Sequence, residues 1–118
     1  MSNRELKTEE IKCLNQLITI LKEPYKSILN NDLPNLKIDL SNGDCANNLR
    51  FCISNYDRPN NCGQRPLGVD GRTTDQDGEE LSVIFFTDPY MRLYQIEFIR
   101  WDGLAVIKPN FDHMELWG

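Results

Sequence analysis

The sequence predicts an α+β fold, with an N-terminal amphipathic helix packed on an antiparallel β-sheet, a meander of about five strands. Three observations predict it. Apolar residues recur at helical spacing only near the N-terminus. From residue 36 to residue 108 the pattern changes to short alternating runs. Turn-forming Asn, Asp, Gly and Pro separate those runs. A chain of 118 residues supports one hydrophobic core, so residues 1–118 read as a single domain.

The helical segment covers 8–30. Thr8 is placed to cap free N–H groups, and Glu9 and Glu10 suit the positive end of the helix dipole. Ile11, Leu14, Leu17, Ile18 and Leu21 then form an apolar stripe, with Lys12, Asn15, Gln16, Thr19 and Lys22 opposite. One amphipathic helix is marginal alone, so the stripe must cover something. Pro24 disfavours helical geometry at Glu23 and opens a second short helix over 25–29, ended by Asn30 and Asn31.

The sheet covers 36–108. Leu36, Ile38 and Leu40 alternate with Lys37 and Asp39, and Leu49, Phe51 and Ile53 alternate with Arg50 and Cys52. Ser41-Asn42-Gly43-Asp44 is turn chemistry, so the two runs read as a hairpin. Residues 55–80 hold Pro59, Gly63, Pro66, Gly68, Gly71 and Gly78 but few apolar side chains, and read as one long loop. Strands are expected over 81–87 and 93–101, joined at Asp88-Pro89-Tyr90-Met91-Arg92. In the second, Tyr94, Ile96 and Phe98 share one face, while Leu93, Gln95, Glu97, Ile99 and Trp101 share the other. Asp102-Gly103 is a hairpin turn into a last strand over 104–107, stopped by Pro109, and 109–118 forms a tail. With the helix on one sheet face, the other face stays open to water, and Gln95, Glu97 and Trp101 point outward there.

Charge narrows the function classes. The chain carries a formal net charge of −5. Between residues 70 and 102, Asp70, Asp75, Asp77, Glu79, Glu80, Asp88, Glu97 and Asp102 face only Arg72, Arg92 and Arg100, so this segment alone accounts for the net charge. Such a face repels phosphate backbones and attracts a basic partner, so no nucleic-acid binding is expected. Residues 1–12 show no secretory signal, and no stretch has the apolar length of a membrane span. A cytoplasmic protein is expected, with Cys13, Cys45, Cys52 and Cys62 as free thiols.

No chemistry stands out. His113 is the one histidine, close to the end of the sequence, and no Gly-x-Ser-x-Gly elbow supplies a nucleophile. A zinc set from Cys45, Cys52, Cys62 and His113 lacks any Cys-x-x-Cys pair. Asp75-Gln76-Asp77-Gly78-Glu79-Glu80 is similar to the opening of a calcium loop, but Glu80 leads into a strand, and a turn explains the same residues without an ion. Neither catalytic residues nor a cofactor or metal is therefore expected. Tyr56, Tyr90, Trp101 and Trp117 are the residues suited to anchoring a partner, or to closing the end of the core.

The run Asp75-x-Asp77-Gly78, the strand at 81–86, Asp88, and Leu93-Tyr94-Gln95-Ile96-Glu97-Phe98-Ile99-Arg100-Trp101-Asp102 resembles a group of small bacterial proteins. The group shares a helix opening like Thr8-Glu9-Glu10, but has an acid where this chain has Gln95. Its members accompany polymorphic-toxin and contact-dependent growth inhibition loci, where small acidic proteins serve as immunity factors. The resemblance implies a cytoplasmic immunity protein, not an enzyme. It would neutralise the C-terminal domain of a cognate toxin, a basic nuclease, by direct contact. Asp70, Asp75, Asp77, Glu79, Glu80, Tyr90 and Glu97 are the expected docking residues. The other reading is a small regulatory or ligand-binding domain that uses the open sheet face.

Overall fold

The computed structural model describes residues 2–41, 43, 45–59 and 62–118. The order of elements is β1 (Asn3–Arg4), α1 (Thr8–Ile20), α2 (Tyr25–Asp32), a 3-10 turn (Leu33–Asn35), β2 (Leu36–Asp39), β3 (Asn48–Ile53), β4 (Arg65–Thr74), β5 (Glu80–Thr87), β6 (Leu93–Arg100), a second 3-10 turn (Phe111–His113) and β7 (Glu115–Trp117). The fold is α+β, with an N-terminal helix and an antiparallel sheet. Among the described residues the sheet has seven strands, not about five, in the order β1-β2-β3-β6-β5-β4-β7.

Helix α1 is capped differently from the expectation. Lys7 is the N-cap and Thr8 is already helical. The Glu10 carboxylate accepts the Lys7 N–H at 2.8 Å and receives two guanidinium hydrogen bonds from Arg4, at 2.9 and 2.8 Å. The apolar stripe buries Cys13, Leu14, Leu17 and Leu21, whereas Ile11 stays exposed. These residues join Phe51, Leu81, Val83, Phe85, Ile96 and Phe98 in one core. Each such Leu or Phe contributes roughly 1.5–3 kcal/mol on burial. Helix α2 runs on past Leu29 to Asp32, whose carboxylate takes a bidentate pair from Arg92 at 2.6 and 2.8 Å. That ion pair ties the helical layer to the turn after β5.

The hairpin of β2 and β3 has the expected alternation, with Leu36, Ile38, Leu49, Phe51 and Ile53 inward. β5 and β6 also pair as expected, but with a correction of face. Phe86 opposes Gln95 and Thr87 opposes Leu93, so Tyr94 is an extra, bulged residue. Leu93 therefore joins Ile96 and Phe98 in the core, while Tyr94 leaves that face.

The sheet is not a simple meander. β3 pairs with β6, and the chain crosses to the far side before it enters β4. The expected long loop over 55–80 is instead strand in its middle part, since Arg65–Thr74 forms β4. Its glycines have geometric roles. Gly68, at φ +85°, lies where the register with β5 shifts between Pro66 and Asp70. At Gly71 an added Cβ would stand 2.6 Å from Leu116 Cδ2 and 3.0 Å from the Glu115 carbonyl oxygen. β7 can approach β4 only because no side chain is there.

The expected last strand over 104–107 does not form. The amides of Ile107 and Lys108 donate to the Asp75 carboxylate, at 2.8 and 2.7 Å, and not to a neighbouring strand. The expected tail over 109–118 is ordered structure. Phe111 meets Phe98 edge-on with ring centroids 5.6 Å apart, and the Thr73 hydroxyl donates to the Asn110 carbonyl. Met114 is buried with its sulfur 3.4 Å from that of Cys13. β7 then closes the sheet beyond β4.

Gly71→Ala is expected to destabilise the protein by about 1–3 kcal/mol and to speed hydrogen exchange at the β7 amides. Chemical denaturation and amide exchange read this out. Wild-type values in both would mean that β7 does not rely on the gap at Gly71.

Candidate functional site

The helices cover one face of the sheet. Two ionic clusters, each built on a buried carboxylate, hold the elements that shape the other. At one end of the central hairpin Arg100 donates five hydrogen bonds, to Asp75 (2.8 Å), Asp77 (3.0 and 2.6 Å) and Asp102 (2.9 and 2.9 Å). Arg100 lies opposite Leu81, so its guanidinium sits at the rim of the core, with its side chain 3% exposed. The Asp75 carboxylate is fully enclosed and also accepts the amides of Gln76, Ile107 and Lys108. Burial alone would raise its pKa, but those amides and Arg100 outweigh it and hold the carboxyl at about 2.

At the opposite end the Asp88 carboxylate accepts the Tyr56 hydroxyl at 2.5 Å, Arg58 Nε at 3.1 Å, and the amides of Tyr90 and Arg92 at 2.8 and 3.1 Å. Burial pushes the Tyr56 phenol up to about 12, and the carboxylate beside it adds to the shift. Arg58 also donates to the carbonyls of Phe51 and Leu93, and its guanidinium lies 4.5 Å from the centroid of the bulged Tyr94 ring. The connection from β3 to β4 is thereby pinned at Tyr56 and Arg58. Its residues line a pocket of about 410 Å³ together with Arg50, Cys52 and Tyr94. On the sheet beneath, Arg50 Nε and Gln95 Oε1 are buried without a hydrogen-bond partner among the described residues, and the two residues oppose each other across β3 and β6.

The half of this outer face formed by β5, β4 and β7 is open. The register sets two rows across it. One runs Trp117, Asp70, Ile84, Glu97, Asn48, and the other Glu115, Arg72, Ser82, Ile99. Trp101 leans over the second row, with its indole N–H donating to Ser82 Oγ at 2.8 Å. Trp101 is 73% exposed and Trp117 50%. Between them lies a groove of about 420 Å³ bordered by Asp70, Arg72, Glu80 and Ile84. Arg72 reaches Glu115 at 2.9 Å and Glu80 at 4.0 Å. Asp70 makes no ion pair among the described residues.

The expected docking residues divide accordingly. Asp70 and Glu80 border the groove, and Glu97, half-buried, shares its face. Glu79 is exposed at the turn before β5. Asp77 is exposed but spends both oxygens on Arg100. Asp75 is corrected: at 3% exposure it is an internal anchor and not a contact residue. Tyr90 is exposed, but at the other end of β5 from Glu80. Gln95, expected to face water, is buried. Sequence reasoning read Arg72 only as a charge and did not single out Ser82 or Glu115 as residues of this face. The alternation of Val69, Gly71 and Thr73 with Asp70 and Arg72 was the one available signal for β4.

Elsewhere, His113 is exposed on the second 3-10 turn. Among the described residues no group of three His, Cys, Asp or Glu is arranged to hold a metal ion. A cleft of about 400 Å³ opens between the start of α1 and the 107–111 segment, floored by Leu49, Phe98 and Phe111, with Lys7 and Lys108 at its edge. No helix is long and apolar enough to cross a membrane, among the described residues. Compared with protein-family models, curated proteins and solved structures, the chain matches none of them.

The Asp75 cluster makes acid stability a direct readout. Its carboxyl is depressed in the folded state, so its contribution is complete above the usual carboxylate range and disappears as pH falls from about 4 towards about 2. The urea midpoint should drop over that interval. In Asp75→Asn the midpoint at neutral pH should be lower and the acid limb shallower. An acid limb as steep as the wild type's would assign it to other carboxylates.

Proposed function

We propose that this chain is an immunity protein of the polymorphic-toxin or contact-dependent inhibition type. It binds a cognate toxin domain through the open half of its sheet and performs no chemistry of its own. The observation that carries the reading is the pair of exposed tryptophans, Trp101 and Trp117, on a face rimmed by Asp70, Glu80, Glu97 and Glu115. Exposed tryptophans on a flat sheet face are unfavourable for a protein that stays alone, and they are strong anchors once a partner covers them. The surrounding carboxylates favour a basic partner, as a nuclease toxin would be, and speed its capture. The resemblance of residues 75–102 to small acidic immunity proteins points to the same class.

Neutralisation needs tight, fast binding and nothing else. The toxin domain's basic surface would meet the acid rim, and the indoles would exclude water at the centre of the contact. Asp75 supports the turn that carries Asp77, Glu79 and Glu80 and takes no part in the contact.

The test is co-expression of the tagged chain with the C-terminal domain of the upstream neighbouring gene's product, which this reading expects to be a large toxin. A stoichiometric complex that abolishes toxicity is expected. Asp70→Lys with Glu80→Lys should slow association by about tenfold or more at low salt and flatten its salt dependence. An unchanged rate puts the interface on another surface. Recovery of a small molecule and no protein would favour the ligand-binding alternative.

A further inference from the structure

We infer that the groove between Trp101 and Trp117 is a slot for one arginine side chain of the partner, stacked against indole and paired with Asp70. This rests on the docking face proposed above and names the chemistry that the face reads. Three features carry it. The Trp101 indole is fixed in place, because its N–H is already committed to Ser82 Oγ at 2.8 Å across the hairpin. Its ring face therefore remains as the binding surface. Trp117, on β7 two strands beyond β5, borders the same groove of about 420 Å³, so both tryptophans line the space a flat group would enter.

The third feature is charge. Glu115 is satisfied by Arg72 at 2.9 Å, and Glu80 is at the limit of an ion pair with it at 4.0 Å. Asp70 is exposed on the groove wall with no ion pair among the described residues. An entering cation gains a carboxylate and aromatic faces together. Guanidinium fits better than ammonium, since it is planar, stacks on indole, is weakly hydrated and can pair with a carboxylate through two N–H groups. A nucleic-acid base could also stack on exposed tryptophan, but its phosphates would meet Asp70, Glu80 and Glu115.

The experiment is a titration of the isotope-labelled chain with N-acetyl tetra-arginine amide at low salt, following the two indole N–H resonances and the Asp70 amide. Saturable shifts of all three are expected, with tetra-lysine amide binding about threefold or more weakly. Trp117→Ala and Asp70→Asn should each weaken tetra-arginine binding by about threefold or more while the rest of the spectrum stays dispersed. Both side chains are outside the core, and the dispersion of the remaining resonances checks that the variants stay folded. Absence of a saturable shift overturns the slot. So does equal affinity in Trp117→Ala, or shifts caused by oligothymidylate and not by tetra-arginine.

The outcome is separable from the broader reading. A toxin complex that forms with unchanged affinity in the Trp101→Ala and Trp117→Ala variants removes the slot and leaves the immunity function. Arginine capture in a chain that binds no toxin keeps the slot and removes that function.

Discussion

The enclosure of Asp75 by Arg100 is the interaction on which most of the architecture depends. Removing two charges from water is costly, and a buried ion pair is weak evidence of net stabilisation. Its effect here is positional. One guanidinium, at the core rim of β6, satisfies three aspartates, from the β4–β5 turn and the start of the following segment. The Asp75 carboxylate then collects the amides of Ile107 and Lys108, which stops the chain from pairing as another strand. The polypeptide is turned back across α1 and delivered to the far side of β4. Without that turn there is no β7, and Trp117 has no place on the sheet.

A second cluster, around Asp88, does comparable work at the opposite end of the hairpin. It determines which half of the outer face is covered. Tyr56 and Arg58 bind the β3–β4 connection down beside β3 and β6, where Tyr94 bulges out to meet the guanidinium. The half made of β5, β4 and β7 receives no such cover. Electrostatics inside the fold thus sets the exposure pattern outside it. Of the eight carboxylates in the acidic segment, Asp75 and Asp88 are internal, Asp77 and Asp102 are held by Arg100, and the surface field comes mainly from Asp70, Glu79, Glu80 and Glu97.

Much of the fold could be read from residue pattern. Helix α1 and the β5–β6 hairpin have strong periodicity, and both formed, though with a different cap on α1 and a bulge at Tyr94 that moves Leu93 to the core face. β4 was hidden because its glycines look like loop residues. Gly68 shapes a bulge and Gly71 admits Leu116, and neither role can be recognised without the partner strand. β7 was hidden for another reason: three residues carry too little alternation to mark a strand. The acid-rich stretch was legible as charge, but its division into inner and outer carboxylates follows from Arg100, a residue distant in sequence. Trp101 and Trp117 were legible as residues suited to anchoring a partner or to closing the core; the structure leaves both exposed, and only the crossing of the chain brings them to one groove.

The shortness of β7 has a thermodynamic consequence. Glu115–Trp117 is held by one flank, with its other edge unpaired among the described residues, and such segments open at a small fraction of the global unfolding free energy. Whenever the strand lifts, Trp117 leaves the groove and half of the slot is gone. Apparent affinity is the intrinsic affinity scaled by the fraction of molecules with the strand seated. Packing of Leu116 against Gly71, on the core side of the sheet, would then tune recognition as a population term, and an occupied slot would in turn hold the end of the sheet closed.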